Sequence, residues 1–277
     1  MSLRRDHVQF LVELLAERAG QLLPADRLYV IESRLAPLAR REGFASVAAL
    51  VDAAKAGAEP RLAQSAADAL VDQETSFFRD RAPFELFRDR LLPALAKARG
   101  GRPIRVWSAG CGSGQEAVSL AVAAEEAAAE CPGLKIQLVA TDLSAVAVER
   151  TRAGLYSHFE VQRGLPVRTL LSRFEPADDM WRVRPEILAR MRIGRVNLAR
   201  PLPELGALDV VFCRYVLNDF TPEARVAALQ RLASATAPGG VLVMGQGESP
   251  LDIGSAFRRP AGAQDVFQRD PTVAAAA

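Results

Sequence analysis

The sequence predicts an α/β protein in which a small all-α domain precedes a mostly parallel β-sheet with a small antiparallel insertion. Three observations support this fold class. The first 75 residues show only helical spacing of their apolar side chains. From about residue 102, short β-rich runs alternate with helical stretches of about 10–15 residues, which is typical of βαβ units. These runs are almost continuously apolar, which indicates a sheet covered on both faces.

The chain is predicted to begin with a bundle of short helices. Apolar residues recur at spacings of three and four in 10–15 and again in 28–38, so each segment has one apolar face. Glycine and proline break the pattern at 20–24, 43 and 57–60. We expect four helices, at about 5–19, 24–42, 45–55 and 60–72. The predicted divisions are a helical domain at 1–75, a linker helix region at 76–101 and a sheet domain at 102–277.

The sheet domain is predicted to alternate strands with helices. Its strand segments are IRVWSA, IQLVATDLS, LDVVFCRYVL and PGGVLVMG, and the helices between them span 115–130, 145–153 and 222–235. Residues at about 157–195 interrupt this alternation, and within them FEPADDMWRV is typical of a turn between two short strands. We therefore place a small antiparallel insertion there. Near the end of the chain, GSAFRR and DVFQRD are expected to form a closing hairpin.

Three glycines, Gly110, Gly112 and Gly114, follow the first strand and begin a helix. Glycine there lets the backbone approach a ligand closely and directs helix amides at it, although it also serves simply to form a tight turn. The dinucleotide-binding spacing needs glycine at 115, where the chain has Gln115, and no Gly-Lys-Ser/Thr phosphate-loop ending follows. The spacing G-x-G-x-G is instead typical of Rossmann-like folds that bind S-adenosylmethionine.

Asp142 supports the same cofactor. It ends the second strand, at the sheet edge that carries the glycine loop, where doubly wound folds bind their ligands. A carboxylate in that position can accept hydrogen bonds from both ribose hydroxyls of a nucleoside. The alternative is that Asp142 is only the N-cap of the following helix.

Composition excludes several function classes. Of 277 residues, 49% are hydrophobic and the net charge is +2, so nothing in the overall charge favours nucleic acid or an anionic membrane. Three cysteines and two histidines are too few for a disulfide framework, a zinc site or most histidine-based catalysis. The sequence has no run of 18 apolar residues, and its first residues lead us to expect no signal sequence. We expect a cytoplasmic protein with no metal and no membrane insertion.

Seven segments, taken together and in order, carry a resemblance to a known family. The chain resembles the chemotaxis receptor methyltransferases, the CheR family, over about residues 7–270, the helical start included. The segments are ETSFFRD (74–80), RVWSAGCGSGQEAVSLA (105–121), ATDLS (140–144), GLYS (154–157), RVNL (195–198), FCRYVL (212–217) and PGGVLVMGQGES (238–249).

The resemblance implies a protein-glutamate O-methyltransferase that acts on the cytoplasmic helices of chemoreceptors. Methyl from S-adenosylmethionine would form glutamyl methyl esters and leave S-adenosylhomocysteine; we expect a monomer that binds no nucleic acid. The cofactor-binding residues implied are Arg79, Gly110, Gly112, Gly114, Glu116, Asp142, Asn197, Leu198 and Arg214, with Asp142 on the ribose and Asn197 and Leu198 beside the adenine. The catalytic candidates are Arg79, Arg214 and Asp219.

The chemistry suits a chain that is poor in histidine. A carboxylate, with an ordinary pKa of about 4, is already ionised at neutral pH and needs no general base to attack a sulfonium methyl group. The enzyme has to align the oxygen, exclude water and hold the charge, and a guanidinium suffices to position a carboxylate. Arg79, at the junction of the two predicted domains, is the main candidate. Its alternative interpretation is a surface arginine that caps a helix.

The chain also departs from the family pattern. Gln115 stands where a glutamate is common, and Ala117–Val118 where Pro-Tyr is common. Tyr215 replaces the usual asparagine after the arginine of FCR, and Asp219 replaces a tyrosine that in the family lies near the transferring methyl. Asp219 and Tyr215 keep one alternative open, a catalytically weakened CheR-like signalling protein that binds cofactor or receptor without methyl transfer. A second alternative is a methyltransferase of the same fold that acts on a small molecule or nucleic acid.

Two basic clusters have two interpretations each. Arg27, Arg34 and Arg41 are seven residues apart, so on a helix they share one stripe. In the family such a helix faces the substrate, but a solvated face is the alternative. The insertion carries a second cluster that docks a receptor or balances acidic neighbours, formed by Arg182, Arg184, Arg190, Arg192 and Arg195. Cys111 and Cys213 are interpreted as small apolar residues in the interior.

Overall fold

The computed structural model describes residues 3–23, 28–57, 59–250, 256–262 and 264–273. The chain divides into two compact units. One unit, called here the helical unit, consists of Met1–Asp72, Asn197–Arg200 and Leu217–Ala228. The other, the sheet unit, consists of Gln73–Val196, Pro201–Val216 and Leu229–Ala277. The sequence-based division at residues 75 and 101 stays a prediction.

The helical unit contains the expected short helices. Within the described residues they are α1 (Arg5–Ala19), α2 (Leu28–Arg41), α3 (Val47–Ala56) and α4 (Pro60–Leu70). Their apolar stripes meet in a core in which Leu11, Ile31 and Leu35 are fully buried. The predicted start of the second helix at residue 24 lies outside the described residues. Elsewhere the helix ends fall within a few residues of those predicted from glycine and proline.

A helical lead-in connects to the sheet. It consists of α5 (Ala82–Leu86), a π-helical turn (Phe87–Leu91) and α6 (Leu92–Arg99). Phe84 and Phe87 are buried and pack on Phe212 of the sheet, with ring centroids 5.9 and 5.5 Å apart. The wider π-helical turn changes the helical register locally.

The main sheet of the described residues has seven strands in the order β6-β2-β1-β7-β8-β10-β9. The strands are β1 (Ile104–Ala109), β2 (Ile136–Asp142), β6 (Met191–Arg195), β7 (Leu208–Phe212), β8 (Thr236–Val243), β9 (Phe257–Arg258) and β10 (Val266–Arg269). The first five pair in parallel, and β10 pairs antiparallel with both β8 and β9. The helices α7 (Gln115–Glu130), α8 (Ala145–Ala153) and α12 (Pro222–Ala235) follow β1, β2 and β7.

The strand order positions the glycine loop. The chain builds outward from β1 to β2 and β6 on one side, and returns to β7 and β8 on the other. The carboxyl end of β1 is therefore the point where the winding direction reverses, which is where open α/β sheets bind ligands. Residues 110–114 follow β1 at this position.

The antiparallel insertion is confirmed as a three-stranded sheet of β3 (Leu155–Ser157), β4 (Phe174–Ala177) and β5 (Met180–Val183), in the order β3-β5-β4. Three short helices accompany it: α9 (His158–Gln162), α10 (Val167–Arg173) and α11 (Pro185–Leu188). The predicted turn between two strands at Asp178 is also confirmed, with φ of 51°.

One strand differs from the sequence-based interpretation. Met191–Arg195, which we assigned to the end of the insertion, is β6 and pairs in parallel with β2 at the edge of the main sheet. Only Met191 of this strand is buried, because an edge strand is partly open to solvent. It therefore lacks the continuous apolar run that identified the inner strands. The expected closing hairpin is present as β9 and β10, although residues 254 and 255 of its first segment lie outside the described residues.

A buried carboxylate joins the lead-in to the sheet. Asp209 of β7 is 2% exposed, and its Oδ2 accepts a hydrogen bond of 2.8 Å from the backbone N–H of Arg105 in β1. Its Oδ1 pairs with the Arg99 guanidinium at the end of α6. Asp209 therefore fixes α6 at the amino-terminal end of the central strands.

We predict that Asp209→Ala destabilises the sheet unit without direct effect on ligand binding. The change leaves the Arg105 N–H and the Arg99 guanidinium without their acceptor, which costs about 2–4 kcal/mol of unfolding free energy. Urea unfolding at pH 7 measures this loss. Asp179→Ala, in the exposed turn of the insertion, is the control and should stay within about 0.5 kcal/mol of the parent chain. Equal stability of the two variants would contradict the assignment.

Candidate active site

The glycine loop has a backbone that requires glycine. Gly110, Gly112 and Gly114 have φ of 78°, 56° and 99°. A Cβ on Gly110 would lie 2.5 Å from Cγ2 of Val216, and one on Gly114 would lie 2.8 Å from the Tyr156 hydroxyl. Both distances are shorter than carbon atoms tolerate. Glycine is therefore required at these positions for two reasons: the positive φ angles of the turn, and the neighbouring side chains that leave no room for a Cβ.

The loop amides are largely used within the protein. The N–H groups of Gly110 and Cys111 donate to the Thr141 carbonyl at 2.8 and 2.9 Å, and the Gly114 N–H donates to the Cys111 carbonyl at 3.0 Å. The Gly112 N–H donates to Asp142 Oδ2 at 2.8 Å. These amides are therefore not available to a phosphate, unlike those of a phosphate-binding loop. This agrees with a ligand that carries no phosphate.

Asp142 lies at the end of β2 and holds the loop. It is 6% exposed; Oδ2 accepts from Gly112, and Oδ1 accepts from the Ser144 N–H at 2.9 Å. The N-cap of α8 is Ser144, whose Oγ accepts from the Ala147 N–H at 3.3 Å, so the alternative that Asp142 is this N-cap is wrong. Since a carboxylate has about four acceptor sites, holding the loop and accepting from hydroxyl groups are compatible.

Glu116 lies in the first turn of α7 and is buried, with 8% exposure. Its Oε1 accepts from the Ser108 hydroxyl at 2.8 Å, and its Oε2 faces Arg214 Nη1 at 3.4 Å. Burial raises the pKa of Glu116, because the charged carboxylate has lost its water. The positive charge of Arg214 opposes this rise.

Arg214 follows β7 and is enclosed by acceptors; its side chain is 1% exposed. Nη2 donates to Asp80 Oδ2 at 2.6 Å and to the Arg79 carbonyl at 2.9 Å. Its Nε is buried and has no hydrogen-bond partner among the described residues. A buried donor without an acceptor is costly, so an additional acceptor supplied by a ligand fits this position.

Arg79 is half-buried and stacks on an aromatic ring. Its guanidinium carbon lies 3.8 Å above the centre of the Tyr215 ring, and Nη1 donates to the Glu74 carbonyl at 3.2 Å. The N-cap of α5 is Arg81, so Arg79 is not the helix cap that its alternative interpretation suggested. Within the described part of the chain, no carboxylate forms an ion pair with Arg79. This guanidinium therefore remains available to an anionic ligand.

Tyr215 and Asp80 join the two arginines. The Tyr215 hydroxyl donates to Asp80 Oδ2, the same oxygen that Arg214 contacts, and accepts from the Gln246 N–H at 3.0 Å. Burial and the hydrogen bond to Asp80 raise the pKa of Tyr215, so the phenol stays protonated. Glu248 Oε2 accepts from the N–H groups of Tyr215 and Gly245 at 2.8 and 2.6 Å.

The backbone around this cluster is strained. Phe78, Asp80 and Arg81 have φ of 46°, 65° and 46°, and Tyr215 has φ of 59°. Residues other than glycine and asparagine rarely adopt this left-handed region, and such conformations concentrate at functional sites. Asp80 and Glu248 are functional candidates that the sequence analysis missed. Asp80 is the last residue of the ETSFFRD segment, and Glu248 lies in the PGGVLVMGQGES segment.

Three predicted site residues belong to the helical unit. Asn197 Nδ2 donates to the Arg18 carbonyl at 2.7 Å, and Asn197 Oδ1 accepts from the Ala199 N–H at 2.9 Å. Leu198 is buried with 6% exposure. The Asp219 carbonyl accepts from the Leu22 N–H at 2.6 Å. The adenine contacts of Asn197 and Leu198 and the catalytic role of Asp219 stay predictions.

The two basic clusters are partly neutralised within the protein. Arg27 lies outside the described residues; Arg34 donates to the Leu70 carbonyl at 2.6 Å and pairs with Asp72 at 3.1 Å. In the insertion cluster, Arg190 lies 3.7 Å from Glu125, and Arg195 Nε donates to the Leu143 carbonyl at 2.6 Å. These arginines therefore have structural partners, and receptor docking by either cluster stays a prediction.

The two cysteines near the site are interior residues. Cys111 and Cys213 are 1% and 0% exposed, and burial raises the pKa of both thiols, so they stay protonated. No group of three or more His, Cys, Asp or Glu side chains that could hold a metal ion occurs among the residues described. In the same residues, no helix is long and apolar enough to cross a membrane.

Comparison with protein-family models assigns the residues of this site to one family. The family model "CheR methyltransferase, SAM binding domain" matches residues 73–259, which include the glycine loop, Asp142, both arginines and Tyr215. The chain belongs to the CheR family. Its fold is a mixed α/β methyltransferase fold, and S-adenosylmethionine is its methyl donor.

Two relatives show how far the CheR similarity extends. A "Chemotaxis protein methyltransferase" from Vibrio parahaemolyticus is 36% identical over 256 residues, which cover 91% of each chain. "Chemotaxis protein methyltransferase 1" from Pseudomonas aeruginosa is 37% identical over 239 residues, covering 85% of this chain and 87% of its own. The similarity thus includes the helical start as well as the sheet, and the chain is an S-adenosylmethionine-dependent methyltransferase.

We predict that the Asp142 carboxylate is needed for cofactor affinity. In Asp142→Asn, one oxygen that can accept from a hydroxyl becomes an NH₂ donor and the charge is lost, so S-adenosylhomocysteine should bind at least about tenfold more weakly in calorimetry. Ser144→Ala, which removes the adjacent helix cap but keeps the carboxylate, should change affinity less than about threefold. Unchanged affinity of Asp142→Asn would remove Asp142 from the ribose role.

Proposed function

We propose that the protein transfers methyl from S-adenosylmethionine to glutamate side chains of chemoreceptors and forms glutamyl methyl esters. The printed names of its relatives, chemotaxis protein methyltransferases, support action in chemotaxis. The observation that carries the choice of a carboxylate acceptor is Arg79, whose guanidinium is held against Tyr215 and has no carboxylate partner in the described residues. A planar guanidinium binds and orients carboxylates through paired hydrogen bonds.

The charges of the reaction favour a desolvated site. With the cofactor bound, a carboxylate oxygen would form a bond to the sulfonium methyl carbon while the carbon–sulfur bond broke with its electron pair on sulfur, which would give an ester and a neutral thioether. Opposite charges are thus consumed, so transfer is favoured where water is excluded. The substrate carboxylate is ionised at neutral pH, which makes a histidine base unnecessary. The chain has only two histidines, and the proposed reaction requires neither.

The residues around the loop fit the cofactor. S-adenosylmethionine supplies an electrophilic methyl group together with a ribose and an amino-acid carboxylate. Asp142 offers its carboxylate to ribose hydroxyls, and Arg214 offers a buried Nε that lacks an acceptor among the described residues. Glu116 holds Arg214 in place from the first turn of α7. Arg79 remains to orient the acceptor carboxylate and to keep it ionised.

We predict alkali-labile methylation of receptors. The chain, incubated with labelled S-adenosylmethionine and membranes that contain chemoreceptors of its own host, should label the receptor bands. Base should release the label as methanol, because methyl esters hydrolyse and methylated nitrogen does not. Absence of label with cofactor binding intact would favour the alternative of a CheR-like signalling protein without methyl transfer. Base-stable label would indicate a different acceptor atom.

We predict that Arg79→Ala separates transfer from cofactor binding. Loss of the guanidinium removes the group that aligns the acceptor carboxylate, so receptor methylation should fall by about a hundredfold or more. S-adenosylhomocysteine affinity should stay within a few-fold of the parent chain. Arg90→Ala, at an exposed arginine of the lead-in helix, is the matched control and should methylate normally. Equal turnover in Arg79→Ala and Arg90→Ala would exclude the proposed role.

A further inference from the structure

We infer that Tyr215 is a positioning residue for methyl transfer, which holds Arg79 through its ring, while its hydroxyl group gives the ring a secondary support on Asp80. The inference extends the proposed function, since it assigns the group that orients the acceptor-binding arginine. Tyr215 stands where the sequence departs from the asparagine usual in the family. A side chain that differs from the family at this point has to be explained by its own contacts.

The first contact is between the ring and Arg79. The guanidinium carbon lies 3.8 Å from the ring centre, well inside the distance of about 6 Å at which a cation is attracted to an aromatic face. The ring contact leaves the edge of a stacked guanidinium open, so its N–H groups remain able to bind a carboxylate in the plane. Nη1 already uses one donor on the Glu74 carbonyl, which limits rotation about the side-chain axis.

The second contact fixes the ring itself. The Tyr215 hydroxyl donates to Asp80 Oδ2 and accepts from the Gln246 N–H, so it is used both as a donor and as an acceptor. Asp80 Oδ2 also accepts from Arg214 Nη2 at 2.6 Å. A single carboxylate oxygen thus joins the tyrosine that supports Arg79 to the buried Arg214. The tyrosine and Arg214 therefore share one acceptor.

The third observation is the backbone of Tyr215, at φ of 59°. An aromatic residue is strained in this left-handed region, whereas asparagine occupies it readily. Glu248 accepts from the Tyr215 N–H at 2.8 Å and holds the backbone in this conformation. A tyrosine kept here against its backbone preference is the pattern expected when the side chain has a function.

These observations separate function from stability in one substitution. Tyr215→Asn relieves the backbone strain, so its unfolding temperature should equal or exceed that of the parent chain. The same substitution removes the ring under Arg79, and kcat for receptor methylation should fall about tenfold, with KM for the receptor and S-adenosylhomocysteine affinity within about threefold. A merely structural tyrosine would instead lower the unfolding temperature and activity together.

Tyr215→Phe is the matched variant. It keeps the ring and the backbone strain but removes the bond to Asp80, so kcat should fall by no more than about threefold. Retained transfer in Tyr215→Phe together with loss in Tyr215→Asn supports the positioning role. If Tyr215→Asn transfers methyl as fast as the parent chain, or if it loses activity only because it unfolds, the inference is overturned.

A second measurement distinguishes failure of this inference from failure of the proposed function. Nuclear magnetic resonance of arginine Nε–H groups detects whether an aromatic ring lies against Arg79, whose signal is assigned with Arg79→Lys. The ring current should shift this signal upfield in the parent chain and in Tyr215→Phe. The upfield shift should be absent in Tyr215→Asn. An inactive parent chain would refute receptor methylation while this signal still tests the stacking. An active parent chain without the upfield shift would overturn the inference alone.

Discussion

The site depends on one buried guanidinium. Arg214 is 1% exposed at its side chain and contacts two carboxylates, Asp80 before the lead-in helix and Glu116 at the start of α7. Taking a charge of this kind out of water is costly, and partners of opposite charge are what make it tolerable. Because those partners come from distant parts of the chain, the loop after β7, the strained 78–81 segment and the glycine loop are held as one assembly.

This arrangement suits a reaction that consumes charge. Both terminal nitrogens of Arg214 have acceptors and this group acts as a fixed centre, whereas Arg79 is held by a ring and one carbonyl. The protein therefore divides two tasks between its arginines: one organises the interior, and the other remains free to receive an anion. Asp142 and Glu116 are both buried carboxyl groups, and Glu116 contacts Arg214 directly.

The local patterns of the sequence predicted what depends on local physics. Helix ends follow glycine and proline, buried strands follow apolar runs, and the glycine loop follows from its spacing. The edge strand β6 was missed, because partial exposure removes the apolar signal. Asp80 was missed for a different reason: its partner Arg214 is 134 residues away in the chain, and no periodicity records a contact of that kind. The Ser144 cap could have been recognised, since Ser144 directly precedes α8 and serine is a preferred N-cap whose hydroxyl accepts from the N–H three residues on.

The burial of Cys111 and Cys213 has a consequence for chemoselectivity. Both lie in the segments that carry the site, one inside the glycine loop and one directly before Arg214. A sulfonium methyl group is a soft electrophile, and a thiolate would compete for it against a carboxylate oxygen. Because burial raises the pKa of both cysteines, they remain thiols, which are poor nucleophiles. The interior thus protects the enzyme from alkylating itself with the reagent that it binds.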